Sequence, residues 1–226
     1  MANTLKFGNG EWYGKKDTIL AYNDLNSNYK PLPFNFSRNS SATVVNKDGL
    51  IEKVSSGQPR IDYKDDTKGA LLLEPQRSNS LQYSENFTQS FYVKDSGVSV
   101  SSENNISPSG ILNATKINVT DNGRIYANVS SNTYYSSVFI KAGGFYHFKL
   151  AGSSIDLINE TNANGIIENY GNGWFRVGIP YTGNRPFQVQ AYPDNTYSSH
   201  TTLGNYYIWG GQAEVGSYPT SYIPTQ

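Results

Sequence analysis

The chain has no cysteine, only two histidines and a single methionine among its 226 residues. Without cysteine there are no disulfides, no thiolate metal sites and no thiol nucleophile. With His147 and His200 as the only imidazoles, histidine-based acid–base chemistry has few places to sit. Charge is also sparse: 16% of the residues are charged, and 18 basic side chains balance 18 acidic ones. No basic stripe stands out, which argues against electrostatic capture of nucleic acid. No apolar run approaches the length of a membrane-spanning helix. Met1 to Gly10 shows no basic stretch leading into an apolar one, so neither a secretory leader nor a membrane partner is expected. The expected place of synthesis is the cytosol.

What the sequence has is aromatic and turn-forming. The hydrophobic fraction is 37%, and 18 Tyr and 10 Phe carry much of it. Tyrosine combines apolar area with a hydroxyl tip, which suits sheet faces and contact surfaces. The 21 glycines, with abundant Asn, Ser and Thr, indicate many turns between short strands. Together these features predict an all-β protein, with a length that suits one ordinary domain plus an appendage or two small domains.

Along the chain, residues 1–33 alternate short apolar groups with turn formers such as Asn9-Gly10. They hold too few apolar residues to fold alone, and Leu5, Phe7, Trp12 and Tyr13 are the side chains expected to dock on a partner. Residues 34–75 read as a short β collar, with a hairpin loop at Asn46-Lys47-Asp48-Gly49 and an apolar run from Ala70 to Leu73 ended by Pro75. From residue 76 to 226, short strands follow one another with turn chemistry between them, which predicts an antiparallel sandwich. Thr133 to Lys141 and Phe145 to Leu150, flanking Ala142-Gly143-Gly144, are expected to form a hairpin. Ile155 to Ile158 and Gly165 to Glu168 are expected to form another pair. The closing stretch from Tyr206 begins as a dense aromatic strand and ends as a segment pinned by Pro219 and Pro224. Trp209 is expected to be buried beneath it, with Tyr218, Tyr222 and Ile223 folding back over the domain.

Several of these stretches resemble a known family. Leu71-Leu72-Leu73-Glu74-Pro75-Gln76-Arg77-Ser78-Asn79, followed by Tyr83-Ser84-Glu85-Asn86-Phe87, is similar to the motif opening a carbohydrate-binding-like jelly roll in many phage virion proteins. Phe139 to Gly143, Gly171 to Arg176, Ile208 to Glu214 and Thr220 to Thr225 match that family's later motifs in order. The family usually has Ala where this chain has Gly211, so slightly looser packing is expected there. Leu5 to Trp12, Leu20 to Asp24 and Phe36 to Thr43 resemble the amino-terminal region of fibre proteins from phages of gut Bacteroidetes, including the crAss-like group. The resemblance implies a docking segment with short strands followed by an antiparallel jelly-roll β-sandwich. It also implies a virion-surface head fibre or capsid decoration, or alternatively a tail fibre or receptor-binding protein. The implied partners are capsid or tail proteins of the same virion, further copies in a homo-oligomer (dimer or trimer), and surface glycans.

The sequence offers little catalytic chemistry. No Gly-x-Ser-x-Gly elbow occurs, and no repetitive β-helix pattern supports the remaining alternative, a glycan depolymerase. Asp156, Glu160 and Glu168 are possible carboxylates for glycoside hydrolysis, although solvated strand-end charges explain them as well. No catalytic residue, metal ligand or cofactor is expected, and the protein is read as a non-enzyme. Sugar binding needs an aromatic platform with amides and charges around it. Trp174 and Arg176 alternate with Phe175, Val177 and Ile179, while Gln188, Gln190 and Tyr192 alternate with Phe187, Val189 and Ala191. These five outward residues are the candidate glycan site. The competing readings are inter-strand packing for Trp174 and solvated edge positions for the two glutamines.

Overall fold

The computed structural model describes residues 36–226, the side chains of Glu103 and Asn104 excepted, together with the backbone of four strands nearer the amino terminus. The side chains of Leu5, Phe7, Trp12 and Tyr13 lie outside the described residues. The fold is all-β, with antiparallel pairing and no helix among the described residues. Contacts divide the chain into two compact units: Met1–Gln76 with Thr220–Tyr222, and Arg77–Pro219 with Ile223–Gln226.

The first unit takes in both the stretch read as a docking segment and the collar that follows. Its strands are β1 (Asn3–Leu5), β2 (Trp12–Lys15), β3 (Thr18–Asn23), β4 (Asn28–Pro31), β5 (Ala42–Val45), β6 (Ile51–Val54), β7 (Ile61–Asp62) and β8 (Ala70–Leu73). They form a β2-β3-β4 sheet, a β1-β8-β7 sheet and the β5-β6 hairpin. The hairpin turns where Asn46 accepts from the Asp48 and Leu50 amides, both at 3.0 Å, and Gly49 takes a positive φ of 78°. Glu74 lies just after β8 and is buried in an ion pair with Arg60 at 2.6 Å. The same carboxylate accepts from the Ser221 amide at 2.8 Å and from its hydroxyl at 2.6 Å. A buried carboxylate is tolerated because each oxygen has a donor.

The second unit is the jelly-roll β-sandwich. Its strands are β9 (Val93–Lys94), β10 (Val98–Ile106), β11 (Leu112–Val119), β12 (Arg124–Ala127), β13 (Asn132–Ala142), β14 (His147–Leu150), β15 (Ser153–Asp156), β16 (Thr161–Asn162), β17 (Ile166–Asn169), β18 (Trp174–Gly183), β19 (Phe187–Tyr192) and β20 (Gly204–Val215). Sheet I runs β10-β11-β20-β13-β18-β17, and sheet II runs β16-β15-β14-β19-β12-β9. The core lies between them: Ile117, Val138, Ile140, Val177 and Ile208 from sheet I meet Ile125, Phe148, Leu150, Ile155 and Val189 from sheet II. Phe148 and Tyr206 touch across the layers, with ring centroids 5.1 Å apart.

Neither expected pairing forms. β13 belongs to sheet I and β14 to sheet II, so Ala142-Gly143-Gly144 carries the chain from one layer to the other instead of closing a hairpin. Gly143 permits the crossing because its backbone lies against Asn205, where an added Cβ would meet the Asn205 carbonyl oxygen at 2.6 Å. β15 likewise pairs with β14 and β16, while β17 pairs with β18. Short strands carry little register information of their own, and long-range partners decided both cases.

β20 is the central element, paired with β11 on one side and β13 on the other. Its register shifts between Ser137 and Phe139: two residues, Gly210 and Gly211, oppose one, and Gly210 has a positive φ of 61°. This is a β-bulge with glycine in the left-handed position. It resets the alternation, so Tyr206 and Ile208 face the core before it and Ala213 after it. Gln212 and Glu214 are thereby turned away from the core. They are buried and paired, Gln212 Nε2 donating to Glu214 Oε1 at 2.7 Å. At Gly211 the space of the missing methyl is already taken, since a Cβ there would lie 3.2 Å from the Phe87 ring. Packing at this position is therefore tight, contrary to the looseness expected of glycine.

The opening motif of the second unit closes one end of the sandwich. Leu81, Phe87 and Tyr92 join the core, Phe87 stacking on Phe187 at 5.4 Å. Arg77 donates to the Val215 carbonyl and lies over the Tyr218 ring. Ser84 and Leu81 hold Thr225, whose amide donates to Ser84 Oγ at 2.8 Å and whose hydroxyl donates to the Leu81 carbonyl at 2.6 Å. The closing segment is thus fixed by side chains of the opening one. Trp209 is buried, as its aromatic strand predicts, with its ring 5.4 Å from Phe139.

Candidate functional site

The candidate site is the outer face of sheet II, and it follows from period-2 alternation. On β14, Phe148 and Leu150 enter the core, so His147 and Lys149 point outward; on β19, Phe187, Val189 and Ala191 enter the core, so Gln188, Gln190 and Tyr192 point outward. Register then places these residues side by side. His147 lies between Asp156 and Tyr192, Lys149 between Ser154 and Gln190, Gln190 beside Arg124, and Gln188 beside Tyr126.

Three tyrosines and three cations organise the face. The Lys149 ammonium stands 5.2 Å from the Tyr192 ring centroid and 5.7 Å from that of Tyr197, which the loop after β19 brings over the sheet. Tyr192 and Tyr197 meet edge to face at 5.5 Å. Burial pushes both phenols up from their ordinary value, so each ring stays neutral and presents a π face to the cation. At the other end, Tyr126 lies under Arg185 at 4.5 Å and beside Arg124 at 6.0 Å. Arg124 is neutralised by Asp95, its Nε donating to Oδ2 at 2.7 Å. Gln190 is buried and committed to the Asn122 carbonyl at 2.8 Å. The half-buried Gln188 side chain makes no hydrogen bond among the described residues.

Both histidines contact this surface. His200 anchors the loop, with Nε2 donating to the Ala191 carbonyl at 2.8 Å and Nδ1 accepting from the Thr202 amide at 3.2 Å. His147 Nε2 lies 3.6 Å from Asp156 Oδ2. Burial alone would raise the Asp156 carboxyl. Hydrogen bonds from the Asn159 side chain and from the Asn159 and Ile158 amides, with His147 nearby, hold it below the usual carboxylate range. Among the described residues no hydroxyl is hydrogen-bonded to either histidine. No group of three or more His, Asp or Glu is arranged there to hold a metal ion.

The five candidate glycan residues do not form one platform. Trp174 and Arg176 belong to β18 in sheet I, whereas Gln188, Gln190 and Tyr192 belong to β19 in sheet II. Outward on one sheet is the opposite direction from outward on the other. Trp174 and Arg176 are also buried. Trp174 donates from Nε1 to the Ile106 carbonyl at 2.9 Å, and Arg176 donates to Ser137 Oγ at 3.2 Å and lies over the Phe139 ring. Trp174 is fixed in place by the turn before it, where Gly171, Asn172 and Gly173 all take positive φ. Its role is inter-strand packing. Gln190 and Tyr192 sit on the open face but are themselves buried, so of the five only Gln188 offers a half-exposed side chain.

Sequence reasoning missed Lys149, Tyr126, Tyr197 and Arg185. Lys149 was legible as the outward neighbour of Phe148. Tyr197 and Arg185 lie in connections without periodicity, and only folding brings them over the sheet. A separate open cleft of about 370 Å³ lies in the first unit beside the β5-β6 hairpin, lined by Lys47, Asp48, Glu52, Ile61 and Tyr63 among others. Comparison of the chain with protein-family models finds no match, and comparison with curated proteins finds none either.

Proposed function

We propose that the chain is a structural protein of a bacteriophage virion, a head fibre or capsid decoration, whose sandwich binds glycans of the host or of mucus. The observation that carries the glycan reading is the open face of sheet II, where neutral tyrosine rings, cations and an uncommitted amide lie side by side. Such a surface suits a saccharide, whose apolar ring faces stack on aromatics while its hydroxyls pair with amides and charges. The virion reading rests on the resemblance of the opening and closing motifs. The residues of those motifs hold the fold together, Glu74 engaging Ser221 and Asn79 engaging Ile223. In this reading the partners are capsid or tail proteins, further copies in a dimer or trimer, and surface glycans, and no catalysis is involved.

Immunogold labelling of intact phage particles with antibody against the chain tests the virion reading. Regular decoration of head or tail supports it, and particles that lack the chain overturn it. A glycan-array screen of the purified protein tests the binding reading. Saturable binding that weakens on Tyr197→Ala supports it, and an array with no positive signal overturns it.

A further inference from the structure

We infer that the outer face of sheet II selects an acidic oligosaccharide, carboxylated or sulfated, with one anionic group placed against Lys149. The inference deepens the glycan-binding reading above and rests on it. It starts from the charge state of the face. Arg124 is neutralised by Asp95, and Asp156 is engaged by Asn159 and His147. Among the described residues Lys149 has no acidic side chain within ion-pair distance and no hydrogen-bond acceptor, and its ammonium stands over the Tyr192 and Tyr197 rings. Arg185 likewise makes no ion pair there; its Nε donates to Asn128 at 2.9 Å and its guanidinium lies over Tyr126. The acid left over is Asp194, which lies on the exposed loop and accepts from Thr196.

Two cations held over tyrosine rings, neither in an ion pair among the described residues, offer direct contacts to anions, while the ionised Asp156 and Asp194 lie towards the His147 end of the face. The rings fix each cation in position, and the half-buried Tyr197 and Tyr126 are the rings available to a sugar, Tyr192 being buried. Geometry also fits a chain molecule better than a single small anion. From β14, which carries Lys149, to β12, which carries Tyr126, is two strand spacings, or roughly 10 Å. Gln188 of β19 lies between, next to Tyr126 in register. That span suits a short oligosaccharide lying across the strands, with one acidic group at Lys149, hydroxyls at Gln188 and a second acidic group towards Arg185.

The test measures binding of the full chain to three oligosaccharides of equal length: an oligogalacturonide, a sulfated galactan fragment and its neutral galactan counterpart. We expect at least one acidic probe to bind ten-fold or more tighter than the neutral one, with an advantage that shrinks as salt is raised. Lys149→Met should abolish that advantage, Lys149→Arg should keep it, and Lys53→Met, at an exposed position in the first unit, should leave it intact. Preference for the carboxylated over the sulfated probe, or the reverse, identifies the anion. Equal affinity for neutral and acidic probes overturns this inference while leaving glycan binding standing. Binding to none of the three, together with a blank glycan array, overturns both. An acidic preference that survives Lys149→Met, with the variant's melting curve unchanged, overturns the assignment to Lys149.

Discussion

The Asn79 side chain donates from Nδ2 to the Ile223 carbonyl at 3.0 Å, joining the first turn of the sandwich domain to the last residues of the chain. The same nitrogen donates to the Gly211 carbonyl at 2.9 Å, while Oδ1 accepts from the Ala213 amide at 2.9 Å and the Leu81 amide at 3.0 Å. One amide thus holds the strand just past its bulge, the opening motif and the closing segment. No other side chain of this size offers both donors and acceptors in that arrangement.

Replacing Asn79 by Ala should therefore destabilise the second unit by about 2–4 kcal/mol, because several part-buried backbone groups lose their partner at once. Urea unfolding would measure it. A loss below about 0.5 kcal/mol would mean that water replaces the amide without penalty. Deleting residues 223–226 should act in the same direction, since it removes the Ile223 and Thr225 contacts with Asn79, Gln212, Ser84 and Leu81. Limited proteolysis of the truncated chain should then cut within the opening motif.

Neighbouring glycines at the layer crossing should respond in opposite ways. At Gly143 an added methyl meets the Asn205 carbonyl oxygen at 2.6 Å, whereas at Gly144 its nearest neighbours are 3.7 Å away. Gly143→Ala should cost about 1–3 kcal/mol through forced backbone movement. Gly144→Ala should be neutral or slightly stabilising, since it narrows the unfolded ensemble. Paired thermal melts distinguish the two, and equal effects would refute the crossing geometry.

Trp174 should prove structural. Trp174→Ala should destabilise by ~3–5 kcal/mol through cavity formation. Trp174→Phe should cost about 1 kcal/mol for the lost bond to Ile106 and leave glycan affinity unchanged. A Trp174→Phe variant that folds with wild-type stability yet loses the proposed glycan binding would return Trp174 to the candidate site.

Asp156 gives the protein a defined acid sensitivity. Its folded carboxyl is held below the usual range, so its contribution to stability is present above the unfolded value of about 4 and is lost as pH falls through the folded value. The stability difference between wild type and Asp156→Asn should therefore narrow as pH falls below about 4. Denaturant melts across that range measure it, and a gap that widens on acidification would contradict the assignment.

By itself the sequence determined which residues of each strand face inward. The alternation of Phe187, Val189 and Ala191 with Gln188, Gln190 and Tyr192, or of Val177 and Ile179 with Arg176, is local, because successive side chains on a strand point to opposite sides. Turn residues such as Asn46 and Gly49 were legible for the same reason, as was the burial of Trp209 in its aromatic strand. Which sheet a strand joins was decided only in the tertiary structure. Ala142-Gly143-Gly144 carries the same local signal whether it closes a hairpin or crosses between layers, and the choice was made by β20, which lies far along the chain and pairs with β13. That choice put Trp174 and Arg176 on one outer face and Gln188, Gln190 and Tyr192 on the other, and it assembled the Lys149 surface from β14, β19, β12 and two connecting loops. Alternation is a property of neighbours in sequence, whereas a binding face is made by neighbours across strands.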